Sequence, residues 1–129
     1  MDQETPTRHR RAYLMSAALF GMGTLHFAVP KPFDSIVPPA LPGNARTYTY
    51  ASGVAELTVA AALALPRTRR LGGLLAALLF IAVFPANVQM AADSLRNPKA
   101  PLPMKVISVL RLPLQVPMVR AALKIRRAA

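Results

Sequence analysis

The hydrophobic positions of this chain are gathered into four blocks of 17 to 21 residues, separated by charged or proline-rich segments. The blocks cover about residues 13–29, 47–65, 71–91 and 104–123. An amphipathic soluble fold would distribute such residues at helical or strand spacing, whereas a helix that spans a bilayer needs about 20 largely apolar residues. The pattern therefore predicts an all-α protein, a polytopic membrane four-helix bundle, in a single domain over residues 1–129.

The segments around the first block allow more than one interpretation. Residues 1–9 are polar, and we expect them to be disordered. Arg10-Arg11 before an apolar block resembles a twin-arginine export signal, but three comparable blocks follow, which favours a transmembrane helix. Gly21 and Gly23 within this helix would let a neighbouring helix approach closely.

Prolines divide the chain in two further places. Residues 30–46 contain five prolines and cannot be helical throughout. Apolar residues such as Phe33 and Ile36 indicate that this proline-rich outer loop, between the first and second helices, either folds against the mouth of the bundle or lies in the membrane interface. Pro85 lies inside the third block, where it should kink the helix.

The net charge of +11 would suggest a nucleic-acid partner if the protein were soluble. Here the basic residues flank the apolar blocks, and no aromatic residues are interleaved with them, so we expect no nucleic-acid binding. On the four-helix topology ten of the sixteen lie on one side, five on the other, and Arg111 lies within the fourth block. The positive-inside rule then predicts a bacterial cytoplasmic (inner) membrane protein with both termini in the cytoplasm.

Two charged residues inside the blocks are the main candidates for function. Glu56 is the single carboxylate within any block, and Arg111 lies in the fourth block beside Pro113 and Pro117. Ionisable residues at membrane depth usually face a partner on a neighbouring helix. We therefore expect Glu56 and Arg111 to form an ion pair.

Three further polar residues should converge with this pair in the outer half of the bundle: His26, Asn87 and Gln115. Two interpretations remain open. The pair is either a structural staple, or part of a pocket that binds a polar head group, such as a quinone carbonyl or a small anion, with Arg111 as its anchor. Because the chain has no cysteine and its blocks contain one histidine, we expect no metal site, disulfide or thiol chemistry.

Five segments carry a resemblance to a known family. They are GTLHF at residues 23–27, PFDSIVPP at 32–39, SGVAEL at 52–57, PANVQMA at 85–91 and RLPLQ at 111–115. Together they resemble the DoxX-like family of small four-helix membrane proteins. That family is similar to the membrane subunit of a thiosulfate:quinone oxidoreductase, and its animal relatives include a receptor-assembly chaperone of the endoplasmic reticulum.

The resemblance implies the fold, a membrane location and a polar pocket, but no reaction. Our first hypothesis is an accessory subunit of a membrane complex, with an intramembrane pocket for a quinone or lipid head group formed by His26, Glu56, Asn87, Arg111 and Gln115. The alternatives are the membrane subunit of a quinone-reducing oxidoreductase and an assembly chaperone for other membrane proteins, so enzymatic activity stays open. The expected partners are the lipid bilayer and either another protein or a second copy of the chain. A quinone is the one cofactor that the resemblance suggests.

Overall fold

The structure is a computed structural model that describes the backbone of residues 4–129 and the side chains of residues 9–129. Within this part of the chain every regular element is a helix, which confirms the all-α prediction. In chain order the helices are α1 (Glu4–Ala28), α2 (Pro30–Asp34), α3 (Ala45–Ala64), α4 (Arg69–Ala82), α5 (Phe84–Arg96) and α6 (Leu102–Ala128).

Two predicted boundaries are corrected. Helix α1 begins at Glu4, so the expected disorder of residues 1–9 is wrong from residue 4 onward, while residues 1–3 lie outside the described part. Farther along α1, Arg69 of α4 donates to His9 Nδ1 at 2.6 Å and lies over the Tyr13 ring, which ties this part of the helix to α4. The third block is divided at Val83, where α4 ends and α5 follows. The interruption lies two residues before Pro85, which lacks an N–H and disfavours helical geometry in the preceding residue.

The helices form two pairs that meet in the middle. Helix α1 packs along α3, and α6 packs along α4 and α5, while α3 and α4 join the two pairs. Helices α1 and α6 meet over only a short length. As a result a cleft remains between the first and the last long helix.

Small residues fill the interior and large ones cover the surface. Six of the eleven buried hydrophobic residues are alanines, whereas 26 large hydrophobic side chains of the described part are exposed. Serine hydroxyls connect the helices. Ser16 donates to the carbonyl of Ala60 at 2.6 Å, and Ser94 and Ser108 are hydrogen-bonded at 2.6 Å. Small residues and interhelical hydrogen bonds of this kind are typical of helix packing in lipid.

Among the described residues, two helical stretches have the length and apolar composition needed to cross a membrane. They are Arg69–Arg96, which combines α4 and α5, and Leu102–Ala128, which is α6. Core helices of soluble proteins can have similar composition, but only 11% of the most apolar window of α6 is buried inside the protein. Helices α1 and α3 are less apolar, because they carry residues such as His26, Glu56 and several threonines and tyrosines.

Candidate functional site

Helices α1 and α3 come into backbone contact at Gly23 and Gly53. A Cβ atom added at Gly53 would lie 2.7 Å from Phe27 Cε2 and 3.0 Å from His26 Cβ, and one added at Gly23 would lie 3.1 Å from the Gly53 carbonyl oxygen. His26 and Glu56 each follow one of these glycines by three residues. Since residues three apart share a helix face, the close approach brings the two side chains together.

His26 is buried and makes one hydrogen bond through its Nδ1 atom. Nδ1 lies 2.7 Å from the carbonyl oxygen of Met22 and 3.4 Å from Glu56 Oε2. A carbonyl oxygen can only accept, so Nδ1 carries a hydrogen that is directed at Met22. Glu56 Oε2 is therefore near the imidazole but has no hydrogen-bond partner among the described residues.

The proline-rich loop packs against one end of this pair. Phe33 of α2 stacks on the His26 ring with a centroid distance of 3.8 Å. Next to it, Asp34 accepts hydrogen bonds from Thr49 Oγ1 at 2.5 Å and from Arg46 Nε at 2.8 Å. The Thr49 hydroxyl, followed by the Arg46 guanidinium, holds the pKa of Asp34 below its usual value. The loop thus folds against the bundle mouth, which is one of the two placements that its apolar residues predict.

A cavity of about 750 Å³ occupies the cleft between α1 and α6. Its apolar walls include Leu14, Ala18 and Met22 of α1 and Leu114, Met118 and Ala121 of α6. In each helix these residues are three or four positions apart, so each wall is one continuous helix face. Arg11 lies at one end of the α1 wall and Arg111 at the opposite end of the α6 wall, since the two helices run in opposite directions.

Four of the five predicted site residues line this one cavity: Glu56, Asn87, Arg111 and Gln115. They come from α3, α5 and α6. The fifth, His26, does not line the cavity but lies next to Glu56, with its Nδ1 atom 3.4 Å from Glu56 Oε2. Gln115 Oε1, like Glu56 Oε2, is buried without a hydrogen-bond partner among the described residues. Two residues with a buried, unsatisfied oxygen atom therefore line the same largely apolar chamber as Arg111.

The expected ion pair between Glu56 and Arg111 is absent from the described part of the chain. The carboxylate lies beside His26, and the guanidinium of Arg111 is exposed, with Nη1 donating to Met90 Sδ at 3.5 Å. The physical reason is the helix pairing: α6 packs on α4 and α5, so the cavity lies between α6 and the helix that carries Glu56.

Sequence reasoning missed two residues of the site. Arg11 lies at one end of the cavity, although its position suggested only a membrane-flanking charge. The available signal was its spacing of four and seven residues from Met15 and Ala18, which also line the cavity. Phe33 was recognised as apolar, but nothing in the sequence indicated that it would stack on His26. Within residues 9–129 no three His, Asp or Glu side chains come together as metal ligands.

Comparison with known families gives one match. Residues 15–126 match the model of a family described as a domain of unknown function, DUF8561. The chain belongs to the DUF8561 family. Within the DUF8561 region lie His26, Glu56, Asn87, Arg111 and Gln115, together with all of the α6 wall of the cavity. No curated protein and no solved structure matches the chain.

Proposed function

We propose that this DUF8561 protein is an integral membrane protein whose four long helical units cross the bacterial cytoplasmic membrane. The exposed large hydrophobic side chains support this proposal, because soluble monomers rarely expose apolar patches beyond a few hundred Å². The clustering of basic groups at one end of the molecule also supports the proposal. His9 of α1 contacts Arg69 of α4, and Arg70 shares a small concavity with Arg126 of α6. These groups belong on the cytoplasmic side under the positive-inside rule.

In this setting the cavity binds a lipid-soluble molecule with a polar head. Leu14, Leu114 and Met118 line the cavity and are also exposed on the helix surfaces. The chamber is therefore open sideways, towards the acyl chains of the bilayer. An apolar tail can lie along the α1 and α6 walls while its head reaches the polar group of Glu56, Asn87, Arg111 and Gln115.

The unsatisfied oxygen atoms indicate which hydrogen-bonding groups the head of the ligand must carry. Glu56 Oε2 and Gln115 Oε1 are acceptors, so the head should carry a hydrogen-bond donor, while Arg111 is a donor and requires an acceptor. The Gln115 amide can be turned so that it donates a hydrogen bond instead. The Glu56 carboxylate therefore restricts the choice of head group more than Gln115 does. A quinone in its hydroxyl-bearing, reduced form offers both a hydroxyl donor and an acceptor oxygen. A phosphate head would place an anion beside the Glu56 carboxylate.

One observation carries this proposal: Glu56 and Gln115, each with a buried oxygen atom that has no hydrogen-bond partner among the described residues, line the same largely apolar cavity as Arg111. Buried polar groups are rarely left unsatisfied, and each such group costs about 1–3 kcal/mol. A head group that hydrogen-bonds to both would remove that cost.

The test is to purify the protein in mild detergent, extract it with organic solvent and identify bound quinone by mass spectrometry. Binding of a short-chain quinol is then measured by equilibrium dialysis for wild type, Arg111→Ala and Glu56→Gln. Hydrogen bonds to charged groups contribute about 1.5–3 kcal/mol, so Arg111→Ala should weaken binding by roughly tenfold or more.

Arg96→Ala is the matched control, because Arg96 is exposed at the end of α5 and outside the cavity. It removes the same charge and should bind as wild type does. Far-UV circular dichroism confirms that each variant is folded. Absence of any quinone in the extract, together with equal quinol binding by Arg111→Ala and wild type, refutes the proposal.

Within this proposal the protein is an accessory subunit, and a partner carries out chemistry on the bound molecule. This role and the oxidoreductase alternative follow from the resemblance to DoxX-like proteins, which stays a prediction. Copurification of a defined partner in stoichiometric amount supports the accessory role. Quinone-dependent activity of the isolated chain would instead support the enzyme.

A further inference from the structure

A second concavity lies where α4 begins and α6 ends, away from the α1/α6 cavity. It has a volume of about 230 Å³ and is lined by Arg70, Leu123, Arg126 and Arg127. Three guanidinium groups from two helices thus surround one small space. It is smaller than the 300–1,000 Å³ typical of sites for whole drug-sized ligands, so it suits a single charged group.

Backbone packing fixes the separation of these arginines. A Cβ atom added at Gly73 would lie 2.8 Å from the backbone nitrogen of Arg126 and 2.8 Å from the carbonyl oxygen of Ala122. Helices α4 and α6 are therefore in direct contact at this glycine. Arg70 precedes Gly73 by three residues and shares its helix face. The contact holds Arg70 and Arg126 on opposite sides of the same concavity.

No described carboxylate balances this charge. Asp34 is bonded to Arg46, Glu56 lies beside His26, and Asp93 accepts from Gln89 at 2.8 Å. Each of these carboxylates is engaged elsewhere in the molecule. Among the described side chains, Arg70, Arg126 and Arg127 form no hydrogen bond or ion pair.

The neighbouring arginine shows how a structural role differs. Arg69 is 5% exposed and donates to the carbonyls of Leu63 and Ala64 at 2.8 and 3.1 Å, which completes the end of α3. Arg70 has no such task. It lies in the first turn of α4, where the helix dipole disfavours a cation and favours an anion. A helix C-terminus favours Arg126 and Arg127, but the same effect cannot account for Arg70.

We propose that Arg70, Arg126 and Arg127 form a clamp for one phosphate group. Guanidinium groups bind phosphate through pairs of parallel hydrogen bonds. A bound anion also offsets the repulsion among the three cations. Leu123 gives the concavity one apolar wall, against which the first carbons of a lipid can pack. The phosphate comes either from an anionic phospholipid or from free phosphate. The proposal stands apart from the quinone site, since the two cavities have no lining residue in common.

The experiment uses the full chain, delipidated in an uncharged detergent. Phosphatidylglycerol, phosphatidylcholine and inorganic phosphate are added separately, and the midpoint of thermal unfolding is followed by circular dichroism. The test variant is R70Q/R126Q/R127Q. The control variant, R10Q/R67Q/K124Q, removes three positive charges near the same end of the molecule but outside the concavity.

Phosphatidylglycerol should raise the unfolding midpoint of wild type and control, with an apparent affinity about tenfold or more above that of the test variant. Phosphatidylcholine, which has no net charge, should bind more weakly than phosphatidylglycerol. If inorganic phosphate is as effective as phosphatidylglycerol, the source is free phosphate; if it has no effect, the source is the lipid. Equal loss in both triple variants means that only total charge matters, and overturns the clamp.

A third variant guards against loss of folding in the glutamine triple. R70K/R126K/R127K keeps all three charges but cannot form paired hydrogen bonds. It should fold as wild type does and bind phosphatidylglycerol several-fold more weakly. Binding equal to wild type would also overturn the proposed geometry, because point charges alone would then suffice.

Discussion

The contact between α4 and α6 at Gly73 makes a quantitative prediction about alanine substitution. In Gly73→Ala the new Cβ would meet two backbone atoms at 2.8 Å. A Cβ atom is in ordinary van der Waals contact with such atoms at 3.4–4 Å, so the helices must separate by roughly 0.6 Å or more. Overpacking of this kind typically costs about 1–3 kcal/mol.

Gly21 provides a reference for the opposing effect, which is the higher helix propensity of alanine. Alanine is favoured over glycine within a helix by about 0.8–1.0 kcal/mol, and this gain applies both to Gly73→Ala and to Gly21→Ala. A Cβ atom at Gly21 would meet nothing within 4 Å, so that variant gains propensity without a clash. Subtracting one result from the other cancels the propensity. We therefore expect Gly73→Ala to be less stable than Gly21→Ala by about 1–3 kcal/mol.

The measurement is unfolding by sodium dodecyl sulfate in mixed micelles, followed by far-UV circular dichroism. Wild type should lie between the two variants, or close to Gly73→Ala if the clash is at the lower limit. Equal stability of Gly21→Ala and Gly73→Ala would refute the close packing of α4 on α6. The structure itself corrects the sequence prediction that Gly21 and Gly23 both let a neighbouring helix approach closely: a Cβ atom at Gly23 would lie 3.0 Å from Leu57 Cγ, whereas one at Gly21 would meet nothing within 4 Å.

Three further predictions concern polar contacts. Ser94→Ala and Ser108→Ala remove a buried hydrogen bond, and a double-mutant cycle should give a coupling of about 0.6 kcal/mol, at most roughly 1.7. Arg69→Met leaves the carbonyls at the end of α3 unpaired and should cost about 1.5–3 kcal/mol in the micellar unfolding assay. Asp34→Asn should remove a pH-dependent contribution to thermal stability. Because the Thr49 hydroxyl lowers the pKa of Asp34 in the folded protein, this contribution is present above the usual value of 3.8 and is lost as pH falls through the lower folded value.

Each of these has a control and a contrary result. For the serine cycle, additive losses would show that the two hydroxyls act independently. Arg67→Met removes an exposed arginine from the connection between α3 and α4 and should change stability little, so an equal loss in both arginine variants would indicate a charge effect. For Asp34, identical pH profiles of wild type and Asp34→Asn would show that the loop is not held by this carboxylate.

The helices and the polar cluster could be predicted because they depend on local patterns. Apolar blocks and proline positions located α3, α6 and the interruption at Val83. Polar residues on the helix faces identified Glu56, Asn87 and Gln115 as neighbours. The partner of Glu56 could not be predicted in this way. It depends on which helices pack together, and that is decided by small residues such as Gly53 and Gly73 in contacts that no periodicity encodes.

The charge at the ends of the helices shows the same limit. Arg69 and Arg70 are adjacent in the sequence and look equivalent there. In the structure Arg69 faces α3 and completes its end, whereas Arg70 faces α6 and the arginine concavity. The difference arises from the direction of two side chains on a helix, which depends on how α4 is rotated against its neighbours.

The pairing of helices also has a mechanical consequence. The long helices form two groups, α1 with α3 and α4 with α5 and α6. The two groups meet where α3 packs on α4. At that contact Gly72 leaves no room for a side chain, since a Cβ atom there would lie 2.8 Å from the backbone nitrogen of Leu63. A rotation of the two helix groups about the contact at Gly72 would widen the cleft between α1 and α6 while α3 and α4 stay in contact. In the proposed membrane setting, a bulky tail would then enter the cleft from the lipid, and its occupancy would follow its mole fraction in the lipid.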